Sequence, residues 1–491
     1  MMHNNFTRRG FLAATAAMAA STTLPGFAFG QTAPLSLTAT TRVLDIDGRA
    51  ATVYGLANAA GGQGLILDPG QRFRVDLTNS LDVETIIHWH GQIPPNEQDG
   101  VPNLPMPLLQ PGETRSYDYA PMPGTYWMHS HVPVQEMNLL AAPLIVRSAE
   151  DVASDRQDVV MFLHDFSFRP VGEVLAEITS GSPGHDIANT GDKAAGSDAM
   201  AGMDHSGMDM SGAGMAMGGM VMDLNDFNFD AYLANDRTLS DPEVIAVETG
   251  GRIRLRVVNA AAATVFWIDT GDVAARLVAV DGHAIVPVPG SRFGVAMAQR
   301  LDIEIDLPGA GAFPVLALRE GARERTGIIL ATSGAEVRKI DGMAQADAPA
   351  FDTDMAQELR LQAANPLAAR KADRSRMIML AGAMQPYVWT IDGQTWDTHI
   401  PITAVSGERV ELMFHNMSMM GHPMHLHGHV FQVVNINGRA VNGALRDTIY
   451  VPPMAMVTVA LDAGEAARWM LHCHHMPHLS TGMMTEFAVS A

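Results

Sequence analysis

The chain reads as an all-β protein of three consecutive β-sandwich domains. One strand unit recurs three times, short apolar runs alternate with Gly, Pro, Asn and Asp, and helix signals are few. The recurring unit is a turn glycine, an alternating strand and a closing asparagine, seen at Gly70 to Asn79, Gly250 to Asn259 and Gly407 to Asn416. The length of 491 residues fits about three domains of roughly 100–200 residues each. An apolar content of 47% with 17% charge describes a globular chain, and no apolar run reaches the ~20 residues that span a bilayer.

Residues 1–30 have the pattern of an export signal. Arg8 and Arg9 precede the apolar stretch Phe11 to Ala20, and Ala28-Phe29-Gly30 supplies small residues for cleavage. This resembles a twin-arginine signal, which directs a folded chain through the twin-arginine export machinery to the periplasm. Domain 1 is expected at 31–152, domain 2 at 153–343 and domain 3 at 344–491. Polar residues Ser148 to Asp158 mark the first boundary, and the Ala-, Asp- and Gln-rich stretch from Ala344 to Arg374 forms a linker at the second. Strands are expected at Arg300 to Leu307 and Thr326 to Ala331. The net charge of -21 disfavours nucleic acid and anionic membrane surfaces.

Chemistry concentrates in four His-x-His pairs: His88/His90, His129/His131, His425/His427 and His472/His474. Composition alone would give roughly 0.7 such pairs. In an extended strand alternate side chains share a face, so each pair aims two imidazoles into one space. The last pair encloses Cys473, the only cysteine, which faces the opposite way. One strand can therefore bridge two metal sites and carry electrons between them.

The repeats place these pairs. Nine residues after the closing Asn stand His88, Ile268 and His425, and eleven after it His90, Thr270 and His427. Tyr126 to His131 aligns with Trp469 to His474, while the middle copy has Leu316-Ala317-Leu318 near that place. Metal ligands therefore belong to the outer copies, which are expected to pack together, with the middle copy as a spacer.

Near Cys473 lie His478 and Met483, and His422 comes from a distant segment. Two imidazoles, a thiolate and a thioether are the ligands of a blue-copper site. Zinc also takes Cys and His; the thioether and the lack of a second Cys favour copper.

With His88-Trp89-His90-Gly91, His129-Ser130-His131, His422-x-x-His425-x-His427-Gly428 and His472-Cys473-His474-x-x-x-His478-x-x-x-x-Met483, the chain resembles the multicopper oxidases. The bacterial laccase-like and copper-resistance branch is the nearest in kind. The resemblance implies three cupredoxin-like Greek-key domains and four copper ions. His422, Cys473, His478 and Met483 would hold the type 1 copper and His88 and His425 the type 2. His90, His129 and His474 would hold one type 3 copper, and His131, His427 and His472 the other. It further implies a monomer that takes single electrons from Cu(I), phenols or aromatic amines and reduces O2 to water. Catalytic weight would fall on Cys473, His472, His474 and Asp99, whose carboxylate resembles the family's proton-relaying acid. Many bacterial relatives carry another acid where this chain has Leu479.

From Ser180 to Asp223 the chain carries eight methionines, among them Met203 and Met208 flanking Asp204-His205-Ser206-Gly207. Thioethers suit Cu(I), which makes the segment a candidate recruiter of cuprous ions, with a low-complexity spacer as the competing reading. Met413, Met417, Met419, Met420 and Met424 are expected to pack around the type 1 site. His164, His283, His399, His415, His429 and His475 match no ligand position. The alternative function is a periplasmic copper-sequestering protein with incidental oxidase activity.

Overall fold

The strand unit that repeats in sequence occupies the same place in three successive pairs of sheets. In the computed structural model, which describes residues 33–180 and 224–491, strands Phe73–Asn79, Arg252–Asn259 and Arg409–Asn416 lie inside sheets of four, six and seven strands. Each runs parallel to the strand that opens its sheet: Leu35–Ile46, Gln157–Phe166 and Arg374–Met384. Each pairs antiparallel on its other side, with Thr114–Tyr119, Arg300–Asp306 and Met456–Asp462. A second sheet, of four, five and five strands, completes each pair. The twin-arginine segment and all but Ser180 of the methionine-rich stretch lie outside the described residues.

The closing asparagines explain why the repeat ends as it does. Asn79, Asn259 and Asn416 are fully buried. Their amides donate to two carbonyls across the following loop: Val83 and Leu109, Thr264 and Val295, and Met420 and Val451. Their side-chain oxygens accept from the backbone N–H two residues on, at Leu81, Ala261 and Ser418. A buried amide with donors and acceptor all paired fixes the loop that leads into the next strand.

Phe73–Asn79 alternates buried and half-buried residues along its whole length, as a strand facing one core should. Arg252–Asn259 loses that alternation after Leu255. Its outer face is covered too: Arg256 is fully buried and donates to Thr125 of the first sandwich, 3.2 Å away, and to Asp302, 3.1 Å away. The linker is not loose either. Phe351, Met355 and Leu361 are buried, and Glu358 pairs with Arg446 at 2.8 Å. Among the described residues the longest helix is Val171–Thr179, and no helix is long and apolar enough to cross a membrane.

Candidate metal centre

The second sheets of the first and last sandwiches supply the histidines. Ile87–His90 pairs antiparallel with Gly124–Ser130, setting His88 opposite His129; His422–Leu426 pairs with Arg468–Cys473, setting His425 opposite His472. The corresponding pair in the middle sandwich is Ile268 opposite Ala317. The register thus reproduces the sequence alignment, with apolar side chains where the outer copies carry imidazoles.

All eight paired histidines are buried in one space. Nε2 of His88 lies 3.4 Å from Nε2 of His425, and Nε2 of His427 lies 3.1 Å from Nε2 of His472. Nitrogens of His131, His427 and His472 sit within 4.8 Å of one another, as do those of His88, His90 and His129. The rings of His90, His129 and His474 also converge, with His474 centred 5.1 Å from each of the other two. Among the described residues, Nδ1 of His90 and Nε2 of His129, His131 and His474 have no hydrogen-bond partner. Buried ring nitrogens facing one another without donors are what a cation would satisfy.

Most of the opposite nitrogens are anchored, and most anchors were not read from sequence. Nδ1 of His88 donates to the Asp99 carbonyl at 2.7 Å, and Nδ1 of His427 to the Asp99 carboxylate at 2.8 Å. Nδ1 of His129 lies 2.7 Å from Glu136, a buried acid that also comes within 3.8 Å of His474. Burial pushes the Glu136 carboxyl well above its usual range. Only its place on the helical turn Pro133–Glu136, just after His131, could have signalled it. Leu479 is buried, so at that position the chain offers the cluster no acid. Nδ1 of His425 donates to the Asp447 carbonyl at 2.9 Å, while Nε2 of His90 lies 3.1 Å from both the Asp447 carboxylate and the Thr448 hydroxyl.

A second cluster lies behind the same strand. Sγ of Cys473 is 3.6 Å from Nδ1 of both His422 and His478, which are 3.2 Å apart. The Ser418 hydroxyl holds Nε2 of His422 at 2.8 Å, so its Nδ1 turns inward. Trp389 stacks on His478 with centroids 4.0 Å apart. Met483 is fully buried, and its backbone bonds to both Cys473 and His478. Asp226 accepts from the Tyr387 hydroxyl and stands 3.7 Å from Nε2 of His478. Met420 and Met424 are buried as expected, whereas Met417 and Met419 are exposed.

Burial disfavours the charged form of several of these imidazoles. It lowers His90, His129, His131, His427, His472, His474 and His478 well below the usual histidine value and takes His422 to about 3. Burial also pushes the Cys473 thiol up, so only a bound cation would make the thiolate favourable there. Neutral nitrogens, one sulfur and a nearby thioether suit copper better than a hard cation.

Three family models described as multicopper oxidase match residues 38–151, 203–335 and 370–491. The chain is 28% identical to the multicopper oxidase MmcO of Mycobacterium tuberculosis, over 98% of this chain and 96% of that one. It is 26% identical to a copper resistance protein A homolog of Pseudomonas syringae pv. tomato, over 91% and 90%. A solved multi-copper oxidase from Pseudomonas thermotolerans shares the fold with a TM-score of 0.68 at 24% identity, over 93% of this chain and 98% of that one. Matched in chain order by all three family models and carrying both histidine clusters, the chain belongs to the multicopper oxidase family and is an oxidoreductase.

Proposed function

We propose that the protein oxidises a one-electron donor, cuprous ion or a phenol, at a type 1 copper and reduces O2 to water at a trinuclear copper cluster. His422, Cys473, His478 and Met483 hold the first ion. His88 and His425 hold the type 2 copper; His90, His129 and His474 one type 3 copper; and His131, His427 and His472 the other. Copper in these four positions supplies one-electron transfer and the four-electron reduction of oxygen. The observation that carries the reading is the strand Arg468–Cys473 and the residue after it. Cys473 joins His422 and His478, while His472 meets His427 and His474 approaches His129.

Cys473 and its two neighbours form the covalent link between the clusters. Asp99, bonded to His88 and His427, orients both rings and is placed to move protons at Oδ1, which lies 3.4 Å from Nδ1 of His88. The similarity to copper resistance proteins supports cuprous ion as substrate and a role in copper tolerance. Arg8 and Arg9 support export to the periplasm by the twin-arginine route, with residues 1–30 as the signal. A full ligand set within one chain supports a monomer. The succession of sheet pairs supports domains at 31–152, 153–343 and 344–491.

The test is Cys473→Ser in the copper-loaded protein. Blue absorbance and one copper should disappear while the electron paramagnetic signal of a type 2 ion remains. A blue band that survives removes Cys473 from the site.

A further inference from the structure

The sandwich without ligands reaches the cluster through one side chain. Arg300 opens strand Arg300–Asp306 of the middle sandwich, and it is fully buried. Its guanidinium grips the Asp447 carboxylate in a two-pronged contact, Nη1 to Oδ1 at 2.7 Å and Nη2 to Oδ2. Its Nε donates to the Thr125 carbonyl at 3.2 Å, and Nη1 also to the Ala298 carbonyl at 3.0 Å. Asp281, again from the middle sandwich, ties this pair to Arg446 at 2.9 Å, and Arg446 continues to Glu358. Gly91, directly after His90, leaves room for the grip. A Cβ there would come 2.4 Å from Arg300 Nη2 and 2.6 Å from Asp447 Oδ2, and its φ of +86° also favours glycine.

Asp447 is the residue through which this arrangement acts on the histidines. Its Oδ1 faces Nε2 of His90 at 3.1 Å, and its carbonyl accepts from Nδ1 of His425 at 2.9 Å. Both carboxylate oxygens of Asp447 accept from the Arg300 guanidinium, which fixes the plane of the carboxylate against His90. An oxygen already gripped by a guanidinium is an acceptor for a proton on Nε2 of His90, which leaves Nδ1, without a hydrogen-bond partner among the described residues, for the cluster. His88, His425, His427, His129 and His472 are anchored the other way, through Nδ1. His90 is therefore reversed relative to these five.

We propose that Arg300 is a positioning residue for the trinuclear cluster: by fixing the Asp447 carboxylate it sets the ring orientation and tautomer of His90 and steadies His425. The middle domain is then a working part of the metal centre, supplying the clamp that registers domain 1 against domain 3. The inference rests on the ligand assignment proposed above. Residues that hold a metal-ligating histidine through its second nitrogen commonly change metal affinity by about 10–100-fold when replaced.

The experiment uses the full-length protein with Arg300→Met, Arg300→Lys and Asp447→Asn. Copper per chain is measured after dialysis against a graded chelator series, together with the type 2 paramagnetic spectrum and the blue absorbance. Arg300→Met and Asp447→Asn should lose trinuclear copper at about 10–100-fold lower chelator strength and shift the type 2 spectrum, with the blue band retained. Arg300→Lys, which keeps charge without the planar fork, should fall between them and the parent. Asp447→Asn keeps the side-chain shape and stands if Arg300→Met fails to fold. Parent-like retention and spectra in Asp447→Asn overturn the proposal, as does parallel loss of blue and trinuclear copper in all three variants. A parent protein that binds only the blue copper instead overturns the ligand assignment.

Discussion

Asp99 and His427 stand 328 positions apart in sequence and are joined by one hydrogen bond, 2.8 Å from carboxylate Oδ2 to ring Nδ1. The same aspartate receives His88 on its backbone carbonyl. Two histidines from different domains are therefore held by one residue. In Asp99→Asn an amide oxygen can still accept from His427, but the side chain no longer exchanges a proton. Oxygen consumption with a phenolic dye should fall by about 10²-fold while the blue absorbance stays intact. Unchanged turnover would remove Asp99 from proton delivery.

The asparagine corners predict a stability effect separable from copper. Asn259→Ala strands the Thr264 and Val295 carbonyls and the Ala261 N–H in the core of a sandwich with no ligands. Denaturant unfolding should show a loss of about 2–3 kcal/mol with copper content unchanged. Asn416→Ala should cost a similar amount and also weaken the blue site, because Asn416 positions Ser418 and Ser418 holds His422. Equal copper spectra in the two variants would contradict this.

Glu320 gives a pH effect of defined sign. It is buried with the Phe351 N–H as its carboxylate's partner, and burial raises its pKa from 4.5 to about 7. Below the unfolded value both states hold the proton and the group is neutral in effect. Above it the unfolded chain ionises first, so stability falls as pH rises toward the folded value. Glu320→Gln removes that loss: a gain of only about 0.4 kcal/mol at pH 4.5, growing to about 3 kcal/mol at pH 7. Thermal unfolding of the metal-free protein across this range is the measurement, and a gain independent of pH would refute the assignment.

The methionine-rich stretch makes a prediction from composition. Deleting residues 195–222 removes eight thioethers, Met200, Met203, Met208, Met210, Met215, Met217, Met220 and Met222. Cuprous oxidation should drop more than oxidation of a phenolic dye, compared as kcat/KM. Equal losses would favour a spacer.

The fold and the inward-facing groups were legible because period-two patterning and His-x-His spacing are local properties of the chain. The strand at Arg300 ends at Asp306, one residue before the expected Leu307, and that at Thr326 to Ala331 extends by one residue at each end. The anchors were not legible. Glu136, Asp447, Arg300 and Asp226 acquire their roles only when distant strands meet, and each has an ordinary local context: a helical turn, a strand edge, a strand start, a loop. The spacer reading of the middle copy matches its missing ligands but did not include the reach of Arg300 to Asp447. Missing ligands show in an alignment, whereas a buried arginine that reaches across a domain boundary does not.

The separation of His88 from His425 by 337 positions bears on biosynthesis. No partly translated chain can enclose the proposed oxygen-reducing centre, because its inventory of nitrogens is complete only when the final strands emerge from the ribosome. Under the proposed ligand assignment, metal uptake doubles as an inspection of the finished polypeptide: a product truncated before His472 lacks His472, Cys473 and His474 and so cannot hold a full set of ions.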